Sequence, residues 1–443
     1  MNRTLPLLIR RAMYNLRGGF LVRPLAIALA LGCAGAVLSW LEETFPVFSD
    51  WMPTVLFPSH ADPQVAQVIL GGIAASIMTV VSIVFAILLM TLTLASMQFS
   101  PRIIVSFARD RVTQWTLGVF LGTFCYCMAA LPSARSQPTP FAPVATVVGA
   151  MLLALVCVAW LLFFIQHISQ AISVSHIVDR IAAETETVID QMMPWPRRDG
   201  FRADSAPAPQ FAWEAPVLAD SSGYIRFVDT GLLLSLAKAY RVKLRLVRRV
   251  GLFVPAGTPL LLAHKGDRLT PEAIDELRRA IDLGPSRTLQ QDVEFGVLQI
   301  VDIALKAISP AVNDPTTAIS CVDQLSRIMI RVASREPPES LLYDPPGVFR
   351  VAIPWTDFDR LSTSAFEQIR LYARADAAVS LRLLRALGDI AATTPSPSRR
   401  QMLRALGERI VEGCAQKLGE EEMQPLRRRW AALQNVTGAS GPD

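Results

Sequence analysis

Four carboxylate residues in the second half of the chain come closest to a catalytic or metal-binding pattern: Asp292, Glu294, Asp302 and Asp314. Paired carboxylates can act as general acid and base, and a cluster of them can bind a cation. No histidine accompanies these residues, and carboxylates at such spacing usually form a charged helix face. We therefore predict no catalytic residue, no metal and no cofactor, and we do not expect an enzyme.

The same region contains a turn between two predicted helices, at about 289–309 and 315–335. Pro310 lacks a backbone N–H and should end the first helix, whereas Asn313 or Asp314 can cap the second. The polar residues here could form a subunit contact, bind a ligand or only cap the helices. The hinge or interface candidates are Asp292, Asp302, Pro310, Asn313 and Asp314.

A basic segment is the second group with possible chemistry. Arg241, Lys243 and Arg245 alternate with apolar residues, which predicts a strand with one basic face. Such a face could bind anionic lipid headgroups or a nucleotide, or attract anions to a pore mouth. A solvated sheet face is the alternative. The anion or lipid contact candidates are Arg102, Arg109, Arg241, Lys243 and Arg245.

Other sequence signals narrow the class of protein. The sequence has no nucleotide-binding loop, nucleophile elbow, dinucleotide fingerprint or zinc-protease motif. Its six cysteines include no C-x-x-C pair and lie in apolar or helical stretches, which favours buried apolar roles. The net charge of +5 is modest for 443 residues, so we do not expect nucleic acid as a partner.

Four apolar segments are long enough to cross a lipid bilayer, at about 21–40, 65–97, 115–131 and 142–165. A signal peptide is the rival interpretation of the first, but its apolar run is too long, so we predict a retained helix. Arginines dominate the N-terminal flank, the second loop and the region after the fourth segment. Arginine-rich flanks stay in the cytoplasm, which predicts cytoplasmic N- and C-termini.

The second apolar segment is longer than a bilayer requires. At 1.5 Å per residue it makes about 50 Å of helix against about 30 Å of hydrocarbon, so it must tilt, kink or extend beyond the membrane. Small and hydroxyl residues recur along it at helical spacing. They could allow close packing against another helix, or they could line a pore. This small-residue stripe consists of Gly72, Ser76, Thr79, Ala86 and Thr93.

Two sets of motifs resemble a known bacterial family. The first set reads ASIMTV at 75–80, LASMQFSPR at 94–102 and GTFCY at 122–126; the second reads QDVEFG at 291–296 and AISPAVNDPTTA at 307–318. The chain thus resembles domain-of-unknown-function family 2254, a group of predicted membrane proteins. The resemblance implies a bacterial inner-membrane location but no established activity. Ala86 and Met97 stand where the family pattern has serines, which weakens a pore role for those two positions.

The predicted fold is a membrane α-helical domain with four transmembrane helices, followed by an α+β cytoplasmic region. That region combines a small β-rich unit with a helical C-terminal part. The predicted boundaries are 1–193 for the membrane domain with a cytosolic stalk, 194–212 for a linker, 213–268 for the β-rich unit, 269–336 for a helical hairpin, 337–435 for the C-terminal helices and 436–443 for a frayed tail.

Two functions fit these features. The first is an oligomeric channel or transport-related pore, with the second segment along the pore and the cytoplasmic region as a vestibule or gate. The second is a membrane-anchored sensor or scaffold that binds anionic lipid, a small anion or a protein. Apart from Arg23 near the start of the first, the four spans carry no charged side chain, which disfavours coupled transport. Four uncharged helices form a poor pore alone, so the channel requires a homo-oligomer in the lipid bilayer.

Overall fold

The structure is a computed structural model that describes residues 22–45, 62–98, 111–136, 140–171, 173–196 and 211–438. The chain divides into two compact units between Ser173 and Val174. The first unit contains four helices that are long and apolar enough to cross a membrane, and the second combines β-sheets with helices. The predicted fold class, four apolar helices followed by an α+β region with C-terminal helices, is confirmed.

The helices of the first unit match the four predicted apolar segments. The longest of them is continuous over 36 residues, without a break at Gly71 and Gly72. The helices are α1 (Val22–Thr44), α2 (Pro63–Gln98), α3 (Arg111–Ala130) and α4 (Val144–Ala171).

Glycines allow α1 and α3 to pack closely. A Cβ atom added at Gly118 would lie 2.6 Å from Cδ1 of Ile27, and one at Gly122 would lie 2.4 Å from Cδ1 of Leu31. Small residues let two helix backbones approach each other in a membrane. Gly118 and Gly122 thus allow close contact between the first and third helices.

Glu42 joins α1 to the start of α4. Its carboxylate accepts hydrogen bonds from the backbone N–H groups of Ala145 and Thr146, at 2.8 and 3.1 Å, and from the Thr146 hydroxyl at 3.0 Å. The first N–H groups of a helix have no partner within the helix, and a carboxylate placed there also interacts favourably with the helix dipole. Glu42 is 1% exposed, so this cap is a buried part of the first unit.

The second unit contains eight strands and nine α-helices among the described residues. The strands are β1 (Ala215–Leu218), β2 (Gly223–Val228), β3 (Lys243–Leu246), β4 (Phe253–Val254), β5 (Pro259–His264), β6 (Ile281–Gly284), β7 (Leu341–Asp344) and β8 (Val348–Ala352). The helices are α5 (Val174–Met192), α6 (Thr230–Ala239), α7 (Pro271–Arg279), α8 (Val293–Ala307), α9 (Pro315–Ala333), α10 (Phe358–Tyr372), α11 (Ala377–Thr393), α12 (Pro397–Ala415) and α13 (Glu420–Gly438).

The strands form a five-stranded sheet in the order β1-β5-β3-β8-β7 and a three-stranded sheet in the order β4-β2-β6. All pairs are antiparallel except β3 with β8. Three of these strands come from outside the predicted β-rich unit at 213–268, since β6 lies in the predicted helical hairpin and β7 and β8 lie after it. A strand-like run at 348–353 is recognisable in the sequence and corresponds to β8, but pairing between strands so far apart in the sequence leaves no local signal, which explains the different unit boundaries.

By its contacts, the helix α5 belongs to the second unit. Its buried apolar face includes Ile177, Ile181 and Ile189, and it packs against α8 and α9. Its acidic face forms ion pairs with Arg327 and Arg331 of α9 and with Arg335 just after that helix. The predicted boundary at 193 therefore differs from the structural boundary at Ser173, because both faces of this amphipathic helix find partners in the second unit.

Candidate functional site

A cleft of about 640 Å³ lies in the second unit beside the five-stranded sheet. Its cationic side chains come from α6, β3 and β8 and from the turns after α6 and β5. One carboxylate, that of Asp344, also lines it. We call this feature the basic cleft, and its six cationic residues are Lys238, Arg241, Lys243, Lys265, Arg268 and Arg350.

Asp344 neutralises only part of this charge. Its carboxylate lies 2.9 Å from Nζ of Lys238 and 3.6 Å from Nη2 of Arg350. Arg268 donates from Nη1 to the backbone carbonyl of Arg241 at 3.0 Å, which fixes its guanidinium without neutralising it. Nε of Arg350 is buried and has no hydrogen-bond partner among the described residues. The cleft therefore keeps an excess of positive charge and donor capacity.

Lys243 lies against an aromatic cluster at the edge of the cleft. Its Nζ is 3.5 Å from the ring centroid of Phe211, a cation–π distance. Phe211 in turn stacks on Phe349 with 5.6 Å between ring centroids. Burial, together with the charges of Lys265 and Arg350, holds the pKa of Lys243 below its usual value. The clustered cations thus repel one another, and a bound anion would relieve that repulsion.

Two of the cleft cations have an unusual backbone conformation. Arg241 has φ 53° and Lys265 has φ 64°, both in the left-handed region. For residues with a Cβ atom this conformation costs about 1–2 kcal/mol, and glycine or asparagine is the usual occupant. A long cationic residue stands at both positions instead.

The third predicted basic residue, Arg245, does not line the cleft. It lies on β3 with its side chain exposed, whereas Leu244 and Leu246 on either side of it are buried. The strand itself is shorter than the predicted 241–247, because Arg241 belongs to the preceding turn. Arg102 and Arg109 lie outside the described residues. The sequence missed Lys265, Arg268 and Arg350, which only the sheet brings next to Lys243.

The carboxylates Asp292 and Glu294 form a buried ion-pair network with Arg249, Arg287 and Arg360. Arg287 donates to Asp292 from Nε at 2.8 Å and from Nη2 at 2.9 Å. Glu294 lies 3.1 Å from Nη2 of Arg249 and 3.0 Å from Nε of Arg360. Burial alone would raise the pKa of Glu294, but the charges of Arg249, Arg287 and Arg360 outweigh it and lower that pKa.

This network has a structural role. Asp292 caps α8 through the N–H of Phe295 at 3.1 Å and is 3% exposed, so it is not available to a partner subunit. Every carboxylate of the network faces guanidinium groups rather than an open coordination position. Among the described residues, no group of three or more histidine, cysteine, aspartate or glutamate side chains could bind a metal ion.

The other hinge candidates lie between α8 and α9. Asp314 caps α9 by accepting from the N–H of Thr317 at 3.0 Å, which decides between the two predicted caps. Asn313 instead has φ 50° and is exposed, as is Pro310. The helix α8 already ends at Ala307, before the proline. Asp302 lies on α8 and is half-buried, but it is not one of the groups bound to Glu294 or Asp292.

The small-residue stripe of α2 faces outward within the first unit. Gly72, Ser76, Thr79, Ala86 and Thr93 are all exposed, and a Cβ atom added at Gly72 would meet nothing within 4 Å. The opposite face of α2 packs against α3 and α4 through its buried residues Ala66, Leu70, Ala74, Ile77, Val81 and Val84. The hydroxyls of Thr79 and Thr93 donate back to carbonyls of their own helix, at 3.1 and 2.8 Å.

Comparison with known proteins gives the family. Residues 17–389 match the model of the predicted membrane proteins with a domain of unknown function, DUF2254. The chain belongs to this family. An uncharacterised protein of Mycobacterium bovis and one of Mycobacterium tuberculosis are each 33% identical over 420 residues, covering 93% of this chain and 79% of the relative. No solved structure matches.

Family membership confirms the resemblance that the sequence motifs indicated. The chain is thus a predicted membrane protein of unknown function. The family match also places two structural features within the shared region. The basic cleft and the buried ion-pair network both lie inside residues 17–389, whereas α12 and α13 lie beyond them.

Proposed function

We propose that the protein forms an oligomeric channel in the bacterial inner membrane, with the small-residue stripe of α2 toward the pore or subunit interface. The second unit would be its cytoplasmic gating region, since the arginine-rich flanks favour cytoplasmic termini. The single observation that supports this proposal is the outward orientation of the stripe in a helix whose other face is packed.

The exposed faces of α2 and α4 differ in the size of their side chains. The exposed face of α4 carries large apolar side chains, among them Leu152, Leu155 and Leu162, as lipid contact favours. The exposed surface of α2 also carries large apolar side chains, Ile83 and Met90 among them, but the stripe places glycine, alanine and hydroxyl residues between them. Small residues at an exposed helix face allow another helix to approach, and hydroxyl oxygens can contact water or ions. A second copy of α2, or a pore, is a better environment for this stripe than lipid chains.

The test combines molecular mass with electrical recording. Purified protein should have an oligomeric mass in detergent and should produce currents in planar bilayers. The variant Thr79→Cys should lose most of its current when a charged, membrane-impermeant thiol reagent is added. Wild-type protein and Leu155→Cys, on the exposed face of α4, are the controls and should keep their currents.

Two results would overturn the channel. One is a monomeric mass together with no current under voltage, tension or changed pH. The other is an equal response of Thr79→Cys and Leu155→Cys to the reagent, which would place both side chains in the same environment.

The second candidate function is a membrane-anchored sensor, which the basic cleft favours. A sensor needs a ligand site in its second unit but no conducting pathway. Binding to the cleft without any current would support the sensor over the channel.

A further inference from the structure

The basic cleft combines three independent features of a built anion site. Its volume of about 640 Å³ lies within the range of small-molecule sites, about 300–1,000 Å³. Its cations come from positions 238 to 350 of the chain, so folding gathers them against their mutual repulsion. Arg241 and Lys265 in addition keep a left-handed backbone that a glycine would adopt with less strain.

We propose that the basic cleft binds an anion with two or more adjacent phosphate groups. Six cationic residues and one carboxylate leave about five positive charges in the cleft. A phosphate group carries about −1.5 to −2 at pH 7, so a single one would leave most of this charge uncompensated. Arginine also suits such a ligand, because its planar guanidinium donates two parallel hydrogen bonds to phosphate oxygens.

The arrangement of donors assigns roles within the cleft. Lys265 and Arg241 have no carboxylate partner among the described residues, so both can approach the ligand directly. Arg350 keeps a buried Nε without a partner, and Asp344 holds its guanidinium from one side only. Lys243 is positioned by the Phe211 ring. The proposal names the ligand class of the sensor function, and it does not depend on whether the protein conducts.

Two glycine variants test the site without endangering the fold. Lys265→Gly and Arg241→Gly each remove a cleft cation and relieve the left-handed strain, so the melting temperature should stay the same or rise. Each glycine variant makes two changes, the loss of a cation and the relief of backbone strain, and a separate control tests each change. Arg245→Thr removes a cation from β3 outside the cleft, and Asn313→Gly relieves the third left-handed residue without touching the cleft.

The measurement is calorimetric titration of the full-length protein in neutral detergent at about 0.15 M salt, where exposed charges are screened beyond about 8 Å. The probe is inorganic tripolyphosphate. Each glycine variant should weaken its binding at least tenfold, whereas both controls should bind like wild type. Wild-type binding by both glycine variants, or an equal loss in Arg245→Thr, would overturn the proposal in favour of a solvated basic face.

Orthophosphate separates the ligand class from the site itself. It should bind at least tenfold more weakly than tripolyphosphate. Equal affinity for the two probes would reject the multiple-phosphate class while leaving an anion-binding sensor. No binding of either probe, in detergent or in neutral-lipid nanodiscs, would reject both the multiple-phosphate ligand and the anion-binding sensor.

The same phosphate chemistry occurs in a soluble metabolite and in a lipid headgroup. Nanodiscs of phosphatidylcholine and nanodiscs containing cardiolipin distinguish the two sources. A cleft that binds headgroups should show weaker tripolyphosphate binding in the cardiolipin nanodiscs, because the lipid competes. Unchanged tripolyphosphate binding in the cardiolipin nanodiscs identifies a soluble ligand. Either result counts only if Lys265→Gly also weakens tripolyphosphate binding.

Discussion

At the scale of single residues, Gly251 shows how the backbone accommodates the buried ion-pair network. Gly251 has φ 87°, and a Cβ atom added there would lie 2.2 Å from Oδ2 of Asp292 and 2.8 Å from Nη2 of Arg287. Any side chain would therefore displace the ion pair in addition to straining the backbone. A glycine is required here for two separate physical reasons.

Gly251→Ala should lower the free energy of unfolding far more than Gly257→Ala. Gly257 has φ 77°, but nothing lies within 4 Å of its added Cβ atom, so that variant costs only about 1–2 kcal/mol of backbone strain. The displaced buried ion pair should add about 3–5 kcal/mol to the cost of Gly251→Ala. Thermal unfolding of the two purified variants measures the difference. Equal melting temperatures would show that the network tolerates displacement.

At the scale of elements, α5 is held by an arginine ladder, which consists of Arg327 and Arg331 on α9 and Arg335 just after it. Arg331 donates to Asp190 from Nε at 2.9 Å, and Arg335 donates from Nη2 to the same carboxylate at 2.5 Å. Arg335 is buried and also lies 3.7 Å above the ring of Trp195. One turn earlier, Arg327 binds Glu186 and Asp179. The ladder complements the apolar face of α5.

Asp190→Asn should lower the free energy of unfolding by about 1–2 kcal/mol, because it removes the charge shared by two arginines. Asp179→Asn is the control and should cost less than about 1 kcal/mol, since Asp179 is exposed and Arg327 keeps Glu186. Chemical denaturation at pH 7 measures both. A larger loss in Asp179→Asn would contradict the assigned ladder.

The contribution of Asp190 to stability depends on pH because folding shifts the pKa of its carboxyl group. The hydrogen bond from Arg331 holds the pKa of Asp190 below its usual value in the folded protein. The stabilisation is therefore complete above the usual aspartate pKa of about 3.9 and disappears as the pH falls through the lower folded-state pKa. The stability difference between wild type and Asp190→Asn should accordingly be full at pH 7 and shrink in acid below about pH 4.

At the scale of the whole molecule, the position of the unit boundary has a direct consequence. A fragment of residues 174–443 keeps α5 and should be soluble with one cooperative unfolding transition. A fragment of residues 194–443 lacks α5 and exposes the faces of α8 and α9 that it covers. The five large aliphatic side chains of α5 that are lost from the core each stabilise by about 1.5–3 kcal/mol, namely Ile177, Val178, Ile181, Val188 and Ile189.

The shorter fragment should therefore aggregate or unfold at a much lower temperature than the longer one. Size-exclusion chromatography and circular-dichroism melting of both fragments measure this difference. Equal solubility and equal melting temperatures would show that α5 is dispensable and that the boundary at 193 describes the fold better.

Local chemistry was predictable from the sequence alone. The apolar segments are recognisable because crossing hydrocarbon requires about 20 uncharged residues, whatever the rest of the chain does. The cap of α9 is recognisable as Asn313 or Asp314, because a capping side chain bonds an N–H two or three residues away, and the structure has Asp314 there. Such signals involve residues that are close together in the sequence, so they can be recognised without the fold. The family motifs are likewise continuous stretches of sequence.

Tertiary structure alone decided which distant residues meet. Lys265 and Arg350 join Lys243 because β3 pairs with both β5 and β8, strands nearly ninety positions apart. Glu294 contacts Arg360, and α5 packs in the second unit. Buried charges and apolar surfaces need partners, but the periodicity of a sequence does not identify which distant residues those partners are. The sequence determined the kinds of surface this protein has, and folding determined their neighbours.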